Sequence, residues 1–317
     1  MIFKATRWLH DIGILGMNSR NAEYIMRWNP RSLFPLADDK LLTKHLAQEH
    51  QIPIPPLYHV IKYHGDIAGL QKALNGRREF VIKPARGAGG SGIILITDHQ
   101  PVGFIKQNGE ILSLIDLAYH ISGIISGIYS LEGLEDRALI EALIHPDPIF
   151  AAVTYFGVPD IRIVVYRGVP VMGMVRLPTR DSDGKANLHR GAIGVGIDIR
   201  NGTTLTAVHR SGVITHHPDT GNPVSGIQVP YWKRMLQIGA KAFDMTGLGY
   251  LGVDMVIDSQ RGPLLLELNA RPGLQIQIAN RGGLHGRLEL IDKAPPDIFA
   301  TIETRVAWAL ETFTSSS

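Results

Sequence analysis

Two apolar segments, residues 251–257 and 264–269, flank the turn-rich stretch Asp258-Ser259-Gln260-Arg261-Gly262-Pro263. That pattern predicts an antiparallel hairpin. If Ile257 pairs with Leu264, Asp254 lies opposite Glu267. Successive side chains of a strand point to opposite faces. Val253, Met255, Ile257, Leu264, Leu266 and Leu268 therefore form one apolar face, and Asp254, Glu267 and Asn269 gather on the other. Two carboxylates facing each other across a ladder repel unless a cation lies between them. Asn269 completes three hard oxygen donors, a set that suits Mg²⁺ held partly by substrate phosphates. The plainer alternative is a polar face that meets water. Against it, Gly252, Val256 and Leu265 flank the carboxylates.

A second constraint is Lys83-Pro84-Ala85-Arg86-Gly87-Ala88-Gly89-Gly90-Ser91-Gly92, lying between two expected strands. Glycines let the backbone approach a ligand closely, and their N–H groups can converge on phosphate oxygens. No Gly-Lys-Ser/Thr follows, so this is not a Walker loop. It feeds a strand rather than a helix, so it is not a dinucleotide fingerprint either. Phosphate binding is favoured over a flexible turn, because Lys83 and Arg86 stand beside the glycines.

The stretch Lys185-Ala186-Asn187-Leu188-His189-Arg190-Gly191-Ala192 is a polar, glycine-bounded loop preceded by Arg176 and Arg180. Alone it is a weak signal, and His189 reads more simply as a structural hydrogen-bonder. His216-His217-Pro218-Asp219 reads as a polar turn rather than a metal site.

Composition narrows the classes. The 317 residues are 44% hydrophobic and 19% charged, which excludes a disordered chain. With no cysteine there is no disulfide, thiolate nucleophile or Cys-type zinc site, and a reducing cytoplasm is the expected location. A net charge of +3 without a run of four basic residues argues against nucleic acid. Arginines outnumber lysines 21 to 11, and guanidinium forks suit carboxylate and phosphate ligands. Residues 12–17 are too short an apolar run for a signal peptide. The apolar stretch 111–134 carries Asp116, His120 and Glu132, which argues against a membrane span.

Periodicity predicts an α+β chain in four parts: a helical then irregular segment (1–36), a first lobe with the glycine loop (37–137), a second lobe with the hairpin (138–313), and a frayed tail (314–317). Trp8, Ile12 and Leu15 have helical spacing, and Asp38-Asp39 opens a helix over 40–49. Further helices are expected over 65–74 and 231–245. Another falls in 111–134, with Ile111, Leu114, Ile115, Ala118, Ile125, Ile128 and Tyr129 on its apolar face. Strands are expected at 79–83, 93–97, 138–143, 160–166 and 170–176.

In order, Lys40, Lys83 with its glycine loop, Glu141-Ala142-Leu143, Asp160-Ile161-Arg162, Asn187-Leu188-His189-Arg190-Gly191, Asp254 and Glu267-Leu268-Asn269-Ala270 resemble the ATP-grasp superfamily. Within it the chain looks most like the ribosomal-protein S6 glutamate ligase branch, over about residues 38–310. The resemblance implies ATP clasped between two α+β lobes. Lys40, Lys83 and the backbone of Gly87, Gly89, Gly90, Ser91 and Gly92 would meet phosphates. The backbone of Glu141, Ala142 and Leu143 would meet adenine, and Asp160, Lys185 and Asn187 the nucleotide. Asp254, Glu267 and Asn269 match magnesium ligands, with Mn²⁺ as a substitute. Arg176 and Arg190 would face the transferred phosphate and acyl group, with His189 beside them at the substrate.

The implied activity is carboxylate–amine ligation through an acylphosphate, on small-molecule or peptide substrates. The alternatives are phosphotransfer without ligation and a nucleotide-binding regulator. Three features depart from the branch. Few residues precede Lys40, so a partner protein or second subunit is expected to complete the acceptor site. An extra stretch separates Glu141 from Asp160. Arg271 replaces a small residue, either to recognise a substrate carboxylate or phosphate or to stack on the surface.

Overall fold

A computed structural model describes residues 13–87, 89–130, 133–210 and 212–313. The expectations for Trp8, Ile12 and the tail 314–317 lie outside the described residues. The chain divides into two units, residues 39–44 with 54–144, and residues 13–38 with 45–53 and 145–313.

In the first unit, six antiparallel strands form one sheet: β1 (Leu57–Ile61), β2 (Phe80–Pro84), β3 (Ile94–Gln100), β4 (Gly103–Lys106), β5 (Ile111–Leu112) and β6 (Ala138–Glu141). Their order is β1-β6-β2-β3-β4-β5. β6 pairs with both β1 and β2, so residues 138–141 belong here and not to the second lobe, where the sequence reading put them. Long-range pairing, not sequence position, decides that membership.

The helix Leu114–Ile125 packs Leu117, Ile121 and Ile124 against this sheet's core, alongside Phe80, Ile82 and Ile140. The expected stripe is thereby corrected. Ile111 lies in β5, while Ile115 and Ile128 are exposed. A segment so rich in apolar residues defines no unique face. The start of the helix is set instead by Ser113, whose side chain accepts from the Asp116 N–H while the Asp116 carboxylate accepts from the Ser113 N–H. Residues 103–112 contain the short hairpin of β4 and β5.

The second unit holds seven antiparallel strands: β7 (Asp160–Tyr166), β8 (Val169–Leu177), β9 (Ile193–Ile197), β10 (Thr204–His209), β11 (Gly212–Ile214), β12 (Tyr250–Asp258) and β13 (Gly262–Asn269). Their order is β11-β10-β9-β8-β7-β12-β13. The helix Trp232–Thr246 buries Met235, Leu236, Ala240 and Ala242, and Gly247 at φ +70° ends it in a left-handed cap. The short helices between residues 17 and 38 belong to this unit. Asn29 there fixes the start of β12: it donates to the carbonyl of Tyr250 and accepts from the same residue's N–H.

Candidate functional site

β8, β7, β12 and β13 lie side by side, and their cross-strand pairs build a polar cluster within the second unit. Asp254 pairs with Arg162 of β7 on one side and Glu267 of β13 on the other. Asp160 pairs with Arg176 of β8. The expected register needs one correction. Ile257 pairs with Pro263, not Leu264, and a bulge at Leu266 restores Asp254 opposite Glu267. Leu266 is therefore half-buried instead of lying on a continuous apolar face.

Asp254 is fully buried and heavily bonded. Arg162 donates to both its oxygens at 2.7 and 2.5 Å, Arg176 donates at 2.8 Å, and the Asn269 amide nitrogen donates at 3.1 Å. Burial alone would raise its pKa, but the two guanidinium groups outweigh burial and hold it below the usual carboxylate range. Arg176 also makes a two-pronged contact with Asp160. Arg176, expected at the transferred phosphate, is thus buried between two aspartates. Asp160, expected at the nucleotide, is its partner. Arg162 escaped the sequence reading as a site residue, although strand alternation places it on the same face as Asp160.

Glu267 and Asn269 are half-buried at the same end of β13. The Asn269 amide nitrogen is spent on Asp254, so its carbonyl oxygen remains as the donor atom to a cation. Two carboxylates and an amide oxygen fit Mg²⁺ chemically. Asp254 sits deepest and anchors the set.

The loop before β9 is tied down from within. Thr179 and Ser182 are buried, and the Thr179 hydroxyl donates to the Gly191 carbonyl at 2.9 Å. Gly191 adopts φ +102° against Asp181, where a Cβ would collide with the carboxylate. The Asn187 side chain accepts from the His189 N–H and caps a single turn over Leu188–Arg190. His189 and Arg190 are exposed on that turn, and Lys185 lies 3.2 Å from Asp183. Arg271 pairs with Asp38 at 3.0 Å and lies over the Phe34 ring, which fits the surface-stacking alternative. His217 is a turn residue, with Nε2 3.0 Å from the Pro178 carbonyl and Nδ1 accepting from the Asp219 N–H.

The first unit carries the other cluster. Lys83 at the end of β2 lies 2.8 Å from Glu141 of β6, and Lys44 lies 3.2 Å from the other oxygen of Glu141. The side chain of Glu141, expected only as backbone near adenine, is thus a buried ion-pair partner. Lys44 was missed, since one lysine in a helix of mixed charge gives no local sign of burial. Lys40 donates to the Gly87 carbonyl at 2.6 Å and steadies the start of the glycine loop. Gly92 at φ +74° packs under Tyr129, whose ring atom lies 2.6 Å from where a Cβ would stand. His120, 2.9 Å from the Gly92 carbonyl, holds the far end of the loop.

Two antiparallel sheets, a glycine loop after a lysine-bearing strand and an acidic hairpin define the α+β architecture of an ATP-grasp protein. The model of the sugar-transfer associated ATP-grasp family matches residues 19–293, and the chain belongs to that family. No curated protein matches the chain. Among solved structures, the ATP-grasp ligase PsnB complexed with a minimal precursor is 12% identical over 88% of this chain and 62% of that one, at a TM-score of 0.44. D-cycloserine synthetase DcsG is 15% identical over 92% and 80%, at 0.46. The D-alanine-D-alanine ligase from Coxiella burnetii is 16% identical over 88% and 59%, at 0.42. The chain spans about 62% of the length of the PsnB structure. No helix among the described residues is long and apolar enough to cross a membrane.

Proposed function

We propose that the protein is an ATP- and Mg²⁺-dependent carboxylate–amine ligase that releases ADP and phosphate. The observation that carries the reading is the Asp254, Glu267 and Asn269 group on adjacent strands, in a chain of this family. In the first unit, Lys83, Lys40 and the glycine-loop backbone are the phosphate-binding groups. In the second, Asp254, Glu267 and Asn269 would hold the metal, which when bound neutralises crowded phosphate oxygens.

A carboxylate is a poor electrophile, so its oxygen attacks the γ-phosphorus and the bond to ADP breaks. The amine then attacks the acyl carbon, phosphate leaves with the electron pair, and the amine loses a proton. No enzyme nucleophile is required, in keeping with a chain that has no cysteine. Arg190, exposed on the Leu188–Arg190 turn, meets the charge that develops on the transferred phosphate and acyl oxygen, with His189 beside it. Arg176 and Arg162 act differently, by keeping Asp254 ionised and oriented. Glutamate as the amine is supported only by the likeness of Asn187–Gly191 and residues 267–274 to the glutamate ligase branch.

The test is hydroxylamine trapping with pooled cell extract, Mg²⁺ and ATP, followed by mass spectrometry of the hydroxamates. A hydroxamate formed only with ATP identifies the acyl substrate. ADP release without any hydroxamate refutes ligation in favour of phosphotransfer, and ATP binding without ADP release favours a regulator.

A further inference from the structure

We propose that Lys44 is a positioning residue for Lys83, acting through the Glu141 carboxylate that the two lysines share. The inference rests on the nucleotide reading above. The side chains of Lys44 and Glu141 are each 3% exposed and that of Lys83 is 10% exposed. Lys44 Nζ lies 3.2 Å from Glu141 Oε1 and Lys83 Nζ 2.8 Å from Oε2, so each cation holds one oxygen. Lys44 Nζ also donates to the Pro55 carbonyl at 3.0 Å, which pins it from the chain preceding β1.

Charge arithmetic gives the arrangement its meaning. A Lys83–Glu141 pair alone is neutral and offers little to a polyanion. A second lysine on the other oxygen leaves the buried group at net +1 and divides the pull of Glu141 between two partners. Burying that extra cation carries a solvation cost. Burial, with Lys83 close by, pushes Lys44 down to about 8 even though Glu141 opposes the change. Lys83 already pairs with Glu141, so the second buried lysine adds a charge that the one carboxylate does not cancel. The charged groups facing Lys44 are Lys83 from β2 and Glu141 from β6. On its own helix, Lys40 directs its ammonium to the Gly87 carbonyl.

The test is calorimetric binding of a non-hydrolysable ATP analogue with Mg²⁺ to the full chain, at about pH 7.5 and about pH 9.5, for wild type, Lys44→Met and Lys44→Arg. Wild-type affinity is expected to fall about tenfold across that window, as the group loses its net charge. Lys44→Met should bind about tenfold more weakly at the lower pH and show no slope. Lys44→Arg stays protonated throughout and should recover the affinity and hold it. A flat wild-type profile, or a folded Lys44→Met with wild-type affinity and slope, overturns the role of Lys44. If Lys44→Met does not fold, wild type against Lys44→Arg decides, and equal slopes overturn it. A folded wild type that binds at neither pH overturns the nucleotide reading itself and this inference with it.

Discussion

Asp254 stands directly opposite Glu267 across β12 and β13 because Leu266 bulges out of the ladder. Without that bulge the register set at the turn would bring Leu266, not Glu267, opposite Asp254. The bulge also separates two roles. Asp254 is anchored in the interior by Arg162, Arg176 and Asn269 as well as belonging to the donor group, while Glu267 and Asn269 are half-buried beside it.

Those roles should separate on mutation. Asp254→Asn removes the charge facing the buried Arg176 and the partly buried Arg162 and is expected to destabilise the fold by about 3–5 kcal/mol. Asn269→Ala loses one hydrogen bond, a change of about 1 kcal/mol, yet should weaken divalent binding at least about tenfold. Denaturant unfolding and Mn²⁺ titration followed by electron paramagnetic resonance measure the two effects. Equal loss of stability in both variants would contradict the division.

Gly92→Ala probes the glycine loop. The substituted residue would have to hold φ +74° with its Cβ pressed into the Tyr129 ring. A penalty of about 1–3 kcal/mol is expected, with the loop displaced from His120. Double substitution with Tyr129→Ala should restore part of the loss, because the steric component vanishes while the backbone strain persists.

Arg190→Ala tests the chemistry. Arg190 is exposed on its turn, so stability should change by no more than about 0.5 kcal/mol. ATP binding should persist, while turnover falls by about a hundredfold or more. Normal turnover in a folded variant would remove Arg190 from the reaction.

Stability itself should depend on pH through Lys44. Its folded value of about 8 lies below the ordinary 10.5, so the unfolded chain binds more protons between those limits. Unfolding free energy therefore rises with pH across that window, by at most about 3 kcal/mol from this group. In Lys44→Met that contribution to the rise should disappear. Urea titrations at the two ends of the window measure it.

The strands that carry the site were legible because each is written in local alternation. Residues 160–166 were bounded as the structure has them, and 251–257 and 264–269 nearly so. The facing of Asp254 and Glu267 was legible too, although through a pairing of Ile257 that the bulge changes. Less legible was the helix Leu114–Ile125, where apolar residues occupy several faces and only the packed sheet selects Leu117, Ile121 and Ile124.

What residue order determined by itself is which groups share a strand face and where glycine must relieve the backbone, since both follow from covalent geometry over a few residues. What tertiary structure alone decided is partnership. Arg162 and Arg176 converge on Asp254, Lys44 reaches Glu141, and Ala138–Glu141 joins β1 and β2. Each of these joins groups far apart in the chain, and the energy of a buried charge depends on which partner arrives, a quantity that no local pattern encodes.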